Sequence, residues 1–192
     1  MFALNLPNVL TMLRILLVPV LVVALLEETA NGDLLAAVVF AIASLTDAMD
    51  GYLARSRNAV TSFGKLMDPI ADKLLIIGAL VALVSLHRLA AWVAMVIIAR
   101  ELTVTLTRMQ ANQHGIVIAS TWWGKSKTIV QVAAIFLLIA FGEPSPWVDG
   151  VVYGAVVITV VSGIDYFFGL RRVLREADSR RKLAASAKPT GS

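Results

Sequence analysis

Two short segments of the sequence each combine a pair of aspartates with a glycine. They contain Asp47, Asp50 and Gly51, and Gly64, Asp68 and Asp72. Residues four apart share a helix face, so each segment would place carboxylates beside a small residue, provided that the second helix reaches back to Gly64. Carboxylate oxygens ligate Mg²⁺, Mn²⁺ or Ca²⁺, whereas Zn²⁺ sites use cysteine and histidine, and the chain has no cysteine. The pattern predicts a hard divalent-cation site with room for a bulky, phosphate-bearing ligand.

Paired carboxylates of this kind indicate phosphoryl or pyrophosphate chemistry. Two cations about 3.5–4 Å apart can hold the attacking and leaving oxygens of an in-line displacement. Other motifs are excluded, because Met49 occupies the third position of a would-be EF-hand loop and the chain has neither a P-loop nor a G-x-S-x-G elbow. The alternative is that the aspartates only form structural ion pairs, with Arg55, Lys65 and Lys73.

The elements that carry these segments are predicted to be membrane helices. Hydrophobic residues make up 58% of the 192-residue chain and charged residues 16%, below the roughly 25% that is usual in soluble domains. A soluble fold of this length cannot bury so much apolar surface. Apolar stretches of about 20 residues span a bilayer as helices, and no period-2 alternation indicates a barrel. We predict an all-α polytopic membrane protein with six transmembrane helices, at 9–26, 34–52, 68–86, 89–106, 128–141 and 148–170.

Charge in the links sets the predicted orientation. The links after the first, third and fifth spans hold one basic residue, Arg88, whereas the other links and the C-terminal segment are rich in lysine and arginine. Basic residues collect on the cytoplasmic side, so both termini are predicted to be cytoplasmic, in a cell (inner or plasma) membrane, with the site on that side. The net charge of +4 is assigned to anionic lipids and not to nucleic acid, because the basic residues are dispersed. We predict one membrane domain, 1–170, and a basic polar cytoplasmic tail, 171–192.

The aspartate segments resemble a known family signature. The run DAMDGYLAR at 47–55, followed by Gly64, Asp68 and Asp72, is similar to the signature D-x2-D-G-x2-A-R-x8-G-x3-D-x3-D of the CDP-alcohol phosphotransferases. All eight signature residues fall at the right spacing within 26 residues. Other segments resemble the branch of this family whose acceptor is glycerol 3-phosphate. They are NLPNVLTMLR at 5–14, DPIADK at 68–73, AREL at 99–102 with Arg108, and GKSKT at 124–128 with Gln131.

The resemblance implies roles for the matching residues. In this family two divalent cations, Mg²⁺ or Mn²⁺, are held by aspartates that correspond to Asp47, Asp50, Asp68 and Asp72. The last of these, Asp72, would be the general base. The nucleotide of CDP-diacylglycerol would contact Asn8, Thr11, Gly51, Arg55, Thr61 and Gly64.

Simpler interpretations of the nucleotide residues stay open. Asn8 and Thr11 could cap a helix, and Thr61 could start one. The two glycines could serve only close helix packing, and Arg55 could snorkel towards the headgroups.

The resemblance also implies a binding site for the acceptor phosphate on the same side. Arg100 lies inside the fourth predicted span, where an unpaired guanidinium is expensive, so it requires a partner or a ligand. We expect the phosphate-binding residues to be Arg100, Arg108, Lys125 and Lys127. The alternative for the two lysines is anchoring to the cytoplasmic face. Arg14 and Lys73 are further candidates unless they pair with signature aspartates, and Glu101 is expected to point elsewhere on its helix.

The activity implied by the resemblance belongs to phospholipid synthesis. The 1-hydroxyl of sn-glycerol 3-phosphate would attack the β-phosphorus of CDP-diacylglycerol, and CMP would leave. The family is typically homodimeric. One alternative is the same reaction with inositol phosphate, serine or phosphatidylglycerol as acceptor. Others are a membrane prenyltransferase, which needs a longer chain and lacks the A-R-x8-G linkage, and a cation channel or transporter, which the basic residues on one face do not support.

Overall fold

The computed structural model describes the backbone of residues 6–27, 29, 31–56, 62–113, 122–142 and 145–186, and the side chains within 8–27, 29, 31–46, 67, 69–111, 126–142 and 145–171. All elements in this part of the chain are α-helices, which confirms the predicted all-α class. The six helices are α1 (Leu6–Leu26), α2 (Gly32–Ser56), α3 (Ser62–Ser85), α4 (Ala91–Gln113), α5 (Trp122–Phe141) and α6 (Pro146–Ser186).

Each helix has one end that agrees with the predicted span and another end that extends beyond it. At the ends predicted to lie outside the cell, each helix begins or finishes within two residues of its span. At the ends predicted to face the cytoplasm, the helices continue further, so that α4 reaches Gln113 and α5 already starts at Trp122. Hydropathy marks the edge of the apolar environment, whereas a helix continues for as long as its backbone hydrogen bonds form.

Two of these extensions bear on the predicted site and domains. Because α3 begins at Ser62, it includes Gly64, which meets the condition for placing Gly64, Asp68 and Asp72 on one helix face. At the C-terminus, α6 passes through residue 171 and continues to Ser186. The predicted boundary between membrane domain and tail therefore marks a change in composition within one helix.

Two described helices are long and apolar enough to cross a bilayer: Asn8–Leu26 in α1 and Pro146–Arg171 in α6. Gly32–Thr46 and Ser126–Phe141 are apolar but shorter. Charged residues inside α3 and α4 interrupt their apolar runs. The number of six spans consequently stays a prediction.

The helices share one apolar core and also present apolar outer faces. Helix α1 packs against α2 and α3, and α5 packs against α6 and α2. Phe40, Leu80 and Ile139 lie fully inside the core. Ile129 and Phe168, by contrast, are 71% and 66% exposed. Large apolar side chains that are this exposed on the outer faces of a helix bundle fit contact with acyl chains.

Helices α1 and α3 approach each other closely at Gly78. A Cβ atom at this position would lie 3.0 Å from Val18 Cγ1. Small residues allow membrane helices to pack at short distance. Because α1 and α3 are both joined to α2 by short links, they run in the same direction. Thr11 and Asp72, which precede these two contact residues by seven and six positions, therefore lie at similar heights in the bundle.

An ion pair connects two elements at the end of the bundle that is predicted to lie outside the cell. Arg88, in the link between α3 and α4, donates to Asp33 at the start of α2 through Nη1 at 2.6 Å and Nη2 at 3.0 Å. Gly142 adjoins the pair in a left-handed conformation (φ 65°), and a Cβ there would lie 2.7 Å from Asp33 Oδ2. The one basic residue of the predicted outer links is thus neutralised by an acidic residue from another of those links.

Candidate active site

Asp72 is the signature aspartate whose side chain the structure describes. It projects from α3 and is 28% exposed. Its Oδ2 accepts a hydrogen bond from Lys73 Nζ at 2.6 Å. Lys73 therefore pairs with a signature aspartate, as one of the two interpretations predicted. Within the described part of the chain, Oδ1 of Asp72 makes no hydrogen bond.

Glu101 joins three helices through a buried carboxylate. Its Oε2 lies 2.8 Å from Lys73 Nζ of α3, and its Oε1 contacts Lys127 Nζ of α5. Arg100 Nη1 approaches Oε1 at 3.4 Å. The expectation that Glu101 points elsewhere was wrong, because the long side chains of its partners reach it from neighbouring elements. A buried carboxylate needs such partners, since an unpaired charge is strongly disfavoured away from water.

Helix α6 contacts the same region through polar side chains. Arg100 Nη2 donates to Ser162 Oγ at 2.5 Å. Arg108 lies over the ring of Tyr166, with Cζ 5.7 Å from the ring centre, a cation–π contact. Arg100 and Arg108, predicted for the acceptor phosphate, thus face the same helix and interact electrostatically with each other.

Positive charge exceeds negative charge among the side chains that make the ion pairs and the cation–π contact described above. We call Lys73, Arg100, Arg108 and Lys127, together with Glu101, the cationic cluster. Among the described side chains, these four cations face two carboxylates, Glu101 and Asp72. An excess of two positive charges suits an anion such as a phosphate monoester, which carries about −1.5 to −2 at neutral pH.

Lys127 is almost fully buried and does not serve as a headgroup anchor. Its side chain is 5% exposed and is paired with Glu101. An anchoring lysine would extend its ammonium group to the membrane surface. The anchoring interpretation is therefore wrong for Lys127, whereas the side chain of Lys125 lies outside the described set.

Helix α1 contributes a row of buried polar residues. Asn8, Thr11 and Arg14 are 6%, 1% and 1% exposed. Because α1 begins at Leu6, Thr11 lies in the second turn, which is incompatible with helix capping. Arg14 Nε donates to the carbonyl oxygen of Ala43 at 3.4 Å, one helical turn before the first signature aspartate. These side chains share the interface between α1 and the helices that carry the signature.

An apolar groove of about 550 Å³ opens beside Asp72, between α2, α3 and α5. Its walls include Phe40 and Leu45 of α2, Leu75 and Ile76 of α3, and Ile129 and Phe136 of α5. We call it the α2/α3/α5 groove. Asp72 is the one charged residue among the described residues that line it. A carboxylate in the wall of an apolar groove can contact the polar end of an amphipathic molecule.

Several predicted residues lie beyond the reach of these observations. Thr61 is outside the described residues. For seven further residues the structure describes the helical backbone but not the side chain: Asp47, Asp50, Gly51, Arg55, Gly64, Asp68 and Lys125. Among the side chains that are described, no three potential ligands form a metal site. The four-aspartate metal site stays a prediction.

Three residues of the region were not predicted from the sequence: Glu101, Ser162 and Tyr166. A signal existed for Glu101, because an acidic residue inside an apolar span requires partners in the same way as its neighbour Arg100 does. Serine and tyrosine are common in membrane helices, so the other two carried no comparable signal.

Comparison with known proteins reveals extensive similarity. Residues 4–162 match the family model described as CDP-alcohol phosphatidyltransferase. The chain is 41% identical to the CDP-diacylglycerol–glycerol-3-phosphate 3-phosphatidyltransferase of Bacillus subtilis, over 85% of this chain and 93% of that protein. It is 40% identical to the probable phosphatidylglycerophosphate synthase of Mycobacterium tuberculosis, over 94% of this chain and 87% of that protein. A Salmonella choleraesuis protein with the same name as the Bacillus protein is 36% identical, over 87% and 95%.

Proposed function

This chain belongs to the CDP-alcohol phosphatidyltransferase family, and on that premise we propose that it transfers the phosphatidyl group of CDP-diacylglycerol to sn-glycerol 3-phosphate. The products are CMP and phosphatidylglycerophosphate, which makes the protein a transferase of phospholipid biosynthesis. The apolar helices and the family together indicate a membrane protein.

The observation that carries the proposal is the position of Asp72 between two dissimilar surfaces. On one side lies the α2/α3/α5 groove, whose apolar walls suit the acyl chains of a lipid. On the other side Lys73 connects Asp72 to Glu101 and the cationic cluster. A lipid-linked donor and a water-soluble anionic acceptor would meet at this carboxylate.

The excess charge of the cationic cluster supports a phosphorylated acceptor. Glycerol 3-phosphate and inositol phosphate both carry a phosphate monoester, whereas serine has no net charge and phosphatidylglycerol brings a phosphodiester embedded in lipid. The similarity to proteins named for glycerol 3-phosphate favours that acceptor over inositol phosphate.

The proposed cofactor is a pair of Mg²⁺ or Mn²⁺ ions held by Asp47, Asp50, Asp68 and Asp72. The described geometry fits at Asp72, because Oδ1 makes no hydrogen bond within the described chain and is a hard oxygen donor. In α2, Asp47 and Asp50 lie about one helical turn apart, and in α3, Asp68 lies about one turn before Asp72. When bound, the ions neutralise the pyrophosphate of the donor and stabilise its leaving oxygen.

The protein's own residues then divide the remaining work. Asp72 accepts the proton of the acceptor's 1-hydroxyl, whose oxygen forms a bond to the β-phosphorus while the bond from that phosphorus to the bridging oxygen breaks. CMP leaves with the bridging oxygen. Lys73 orients the carboxylate, and Arg100, Arg108, Lys125 and Lys127 bind the acceptor phosphate. The nucleotide is bound by Asn8, Thr11, Gly51, Arg55, Thr61 and Gly64.

The experiment is a mixed-micelle assay with CDP-diacylglycerol, Mg²⁺ and labelled glycerol 3-phosphate. Lipid-soluble label should form only with the nucleotide lipid. The transfer rate of Asp72→Asn should be lower than that of the wild type by a factor of at least about a hundred, as expected for loss of a general base. Asp149→Asn, at an exposed carboxylate in the first turn of α6, should keep wild-type activity.

Other outcomes would change the proposal in defined ways. CMP release with inositol phosphate or serine, but not with glycerol 3-phosphate, would replace the acceptor. No CMP with any alcohol, from protein that unfolds cooperatively, would overturn the reaction and favour the prenyltransferase or transport alternatives.

We further propose six spans in the cell membrane, both termini in the cytoplasm and a homodimeric assembly. The absence of cysteine from the chain makes the topology simple to test with Asn31→Cys and Arg171→Cys, both at exposed positions. In intact spheroplasts a membrane-impermeant maleimide should label position 31 and reach position 171 only after permeabilisation. The reverse pattern would overturn the orientation, and cross-linking in native membranes tests the dimer.

A further inference from the structure

Helix α6 presents a polar row to the arginines of α4. Thr159, Ser162 and Tyr166 stand at i, i+3 and i+7, which places them on one helix face. They are 0%, 2% and 8% exposed. Within a membrane helix, buried polar residues that face a neighbouring helix commonly belong to a functional site.

Several polar atoms along this row have no partner within the described chain. They are Tyr166 OH, Thr159 Oγ1, Arg100 Nε and Arg108 Nε, and Oδ2 of Asp165, which adjoins Tyr166 in the chain, also has no partner there. A buried hydroxyl or N–H without a partner is disfavoured, because it has given up its hydrogen bonds to water without replacing them. Here a phenol and two guanidinium groups all keep unused hydrogen-bonding capacity. This is the arrangement expected of a polar binding site without its ligand.

The phenol belongs to the same cluster as the two arginines. The Tyr166 ring lies under the Arg108 guanidinium, whose Cζ is 5.7 Å from the ring centre. Arg100 in turn donates to Ser162, one turn before Tyr166 on the same helix face. The Tyr166 hydroxyl is thus held beside the positive charges that distinguish this cluster from the apolar groove.

We infer that Tyr166 is an acceptor-binding residue of the enzyme, an inference that rests on the proposed function. The ligand class is a polyol phosphate monoester. The arginines bind the phosphate, and the phenol, which can donate and accept, hydrogen-bonds the hydroxyl-bearing part or a phosphate oxygen. Tyr166 thereby selects for an acceptor that is both anionic and hydroxylated.

A purely structural alternative is that the ring only supports Arg108. The substitution Tyr166→Phe separates the two roles, because it keeps the ring under the guanidinium and removes only the unpaired hydroxyl. If the hydroxyl binds the acceptor, KM for glycerol 3-phosphate rises roughly three- to tenfold, as expected for one lost hydrogen bond. KM for CDP-diacylglycerol stays unchanged.

The same substitution should leave the resting protein at least as stable, since it removes a buried group without a partner. The thermal midpoint of Tyr166→Phe should therefore equal or exceed that of the wild type, while added glycerol 3-phosphate stabilises it less. Tyr153→Phe is the matched control. Tyr153 lies elsewhere on α6, is 51% exposed and stacks on Trp92 of α4. It should change neither KM.

The outcomes distinguish failure of this inference from failure of the proposed function. Wild-type protein that uses glycerol 3-phosphate, together with an unchanged KM in Tyr166→Phe, would overturn the role of Tyr166 alone. A rise in the KM of both substrates or a fall in the thermal midpoint would assign Tyr166 to structure. Wild-type protein without transfer to any alcohol would overturn the proposed function itself.

Discussion

Glu101 and Lys127 form a buried ion pair between α4 and α5, and their side chains are only 4% and 5% exposed. The pair shields two charges that would be expensive alone in an apolar helix bundle. Because Glu101 also contacts Lys73, the same carboxylate connects α3, which carries Asp72, to the cationic cluster. One acidic residue thereby sets the position of several cations.

The first prediction concerns the loss of this carboxylate. Glu101→Gln leaves Lys73, Lys127 and Arg100 without their common counter-ion. Breaking a buried pair commonly lowers the unfolding free energy by about 3–5 kcal/mol. The apparent thermal midpoint in detergent should fall clearly, and glycerol 3-phosphate should restore part of it by supplying negative charge. Glu27→Gln, at an exposed position after α1, should leave the midpoint unchanged. Equal midpoints for the two variants would contradict the role assigned to Glu101.

The second prediction concerns the α2/α3/α5 groove. Ala133→Phe fills part of the groove that we assign to acyl chains. The apparent KM for long-chain CDP-diacylglycerol should rise several-fold, whereas the KM for glycerol 3-phosphate should not change. Ala91→Phe, at an exposed alanine at the start of α4, is the control. If both variants have wild-type kinetics, the lipid does not occupy this groove.

The third prediction concerns the close contact between α1 and α3. Gly78→Leu introduces a Cβ only 3.0 Å from Val18 Cγ1. Overpacking of this kind typically reduces stability by about 1–3 kcal/mol. Adding Val18→Ala should restore part of the lost thermal midpoint by making room. Gly154→Leu should be tolerated, because a Cβ at Gly154 meets nothing within 4 Å. A destabilisation that is equal at the two glycines would argue against this packing.

The fourth prediction concerns the divalent cation. Treatment with EDTA should abolish transfer, and Mg²⁺ or Mn²⁺ should restore it, because carboxylates prefer hard cations. Asp72→Asn should stay inactive even at high Mg²⁺ concentration, since it lacks the base as well as a ligand. Full activity after exhaustive chelation would exclude the proposed metal dependence.

The fifth prediction concerns Arg88 and Asp33. A double-mutant cycle with Arg88→Gln and Asp33→Asn should give a coupling free energy of about 1 kcal/mol or less, because the Asp33 side chain is 39% exposed and water screens the pair. The cycle is measured from denaturant unfolding in detergent. A coupling well above this range would mean that the pair is shielded by lipid or by a second copy.

The sequence predicted the helical class, the family and the helix ends on the side predicted to lie outside the cell, because apolar runs and motif spacing are local properties. It could not predict the helix ends on the opposite side, where polar residues continue the helices beyond the apolar runs. Glu101 was misjudged because its orientation depends on Lys73 and Lys127, which arrive from other helices. The groove beside Asp72 was likewise beyond prediction, since three separate helices form its walls.

The ion pair between Arg88 and Asp33 bears on the position of the other end of α2. Asp47 follows Asp33 by 14 residues, a lever of about 21 Å along the helix. In the proposed metal site, ligand distances are expected to hold within about 0.2 Å, which at this distance along α2 corresponds to a rotation of roughly half a degree. An ion pair that adds little to the unfolding free energy thus holds the start of the helix whose other end carries Asp47 and Asp50, the proposed metal ligands.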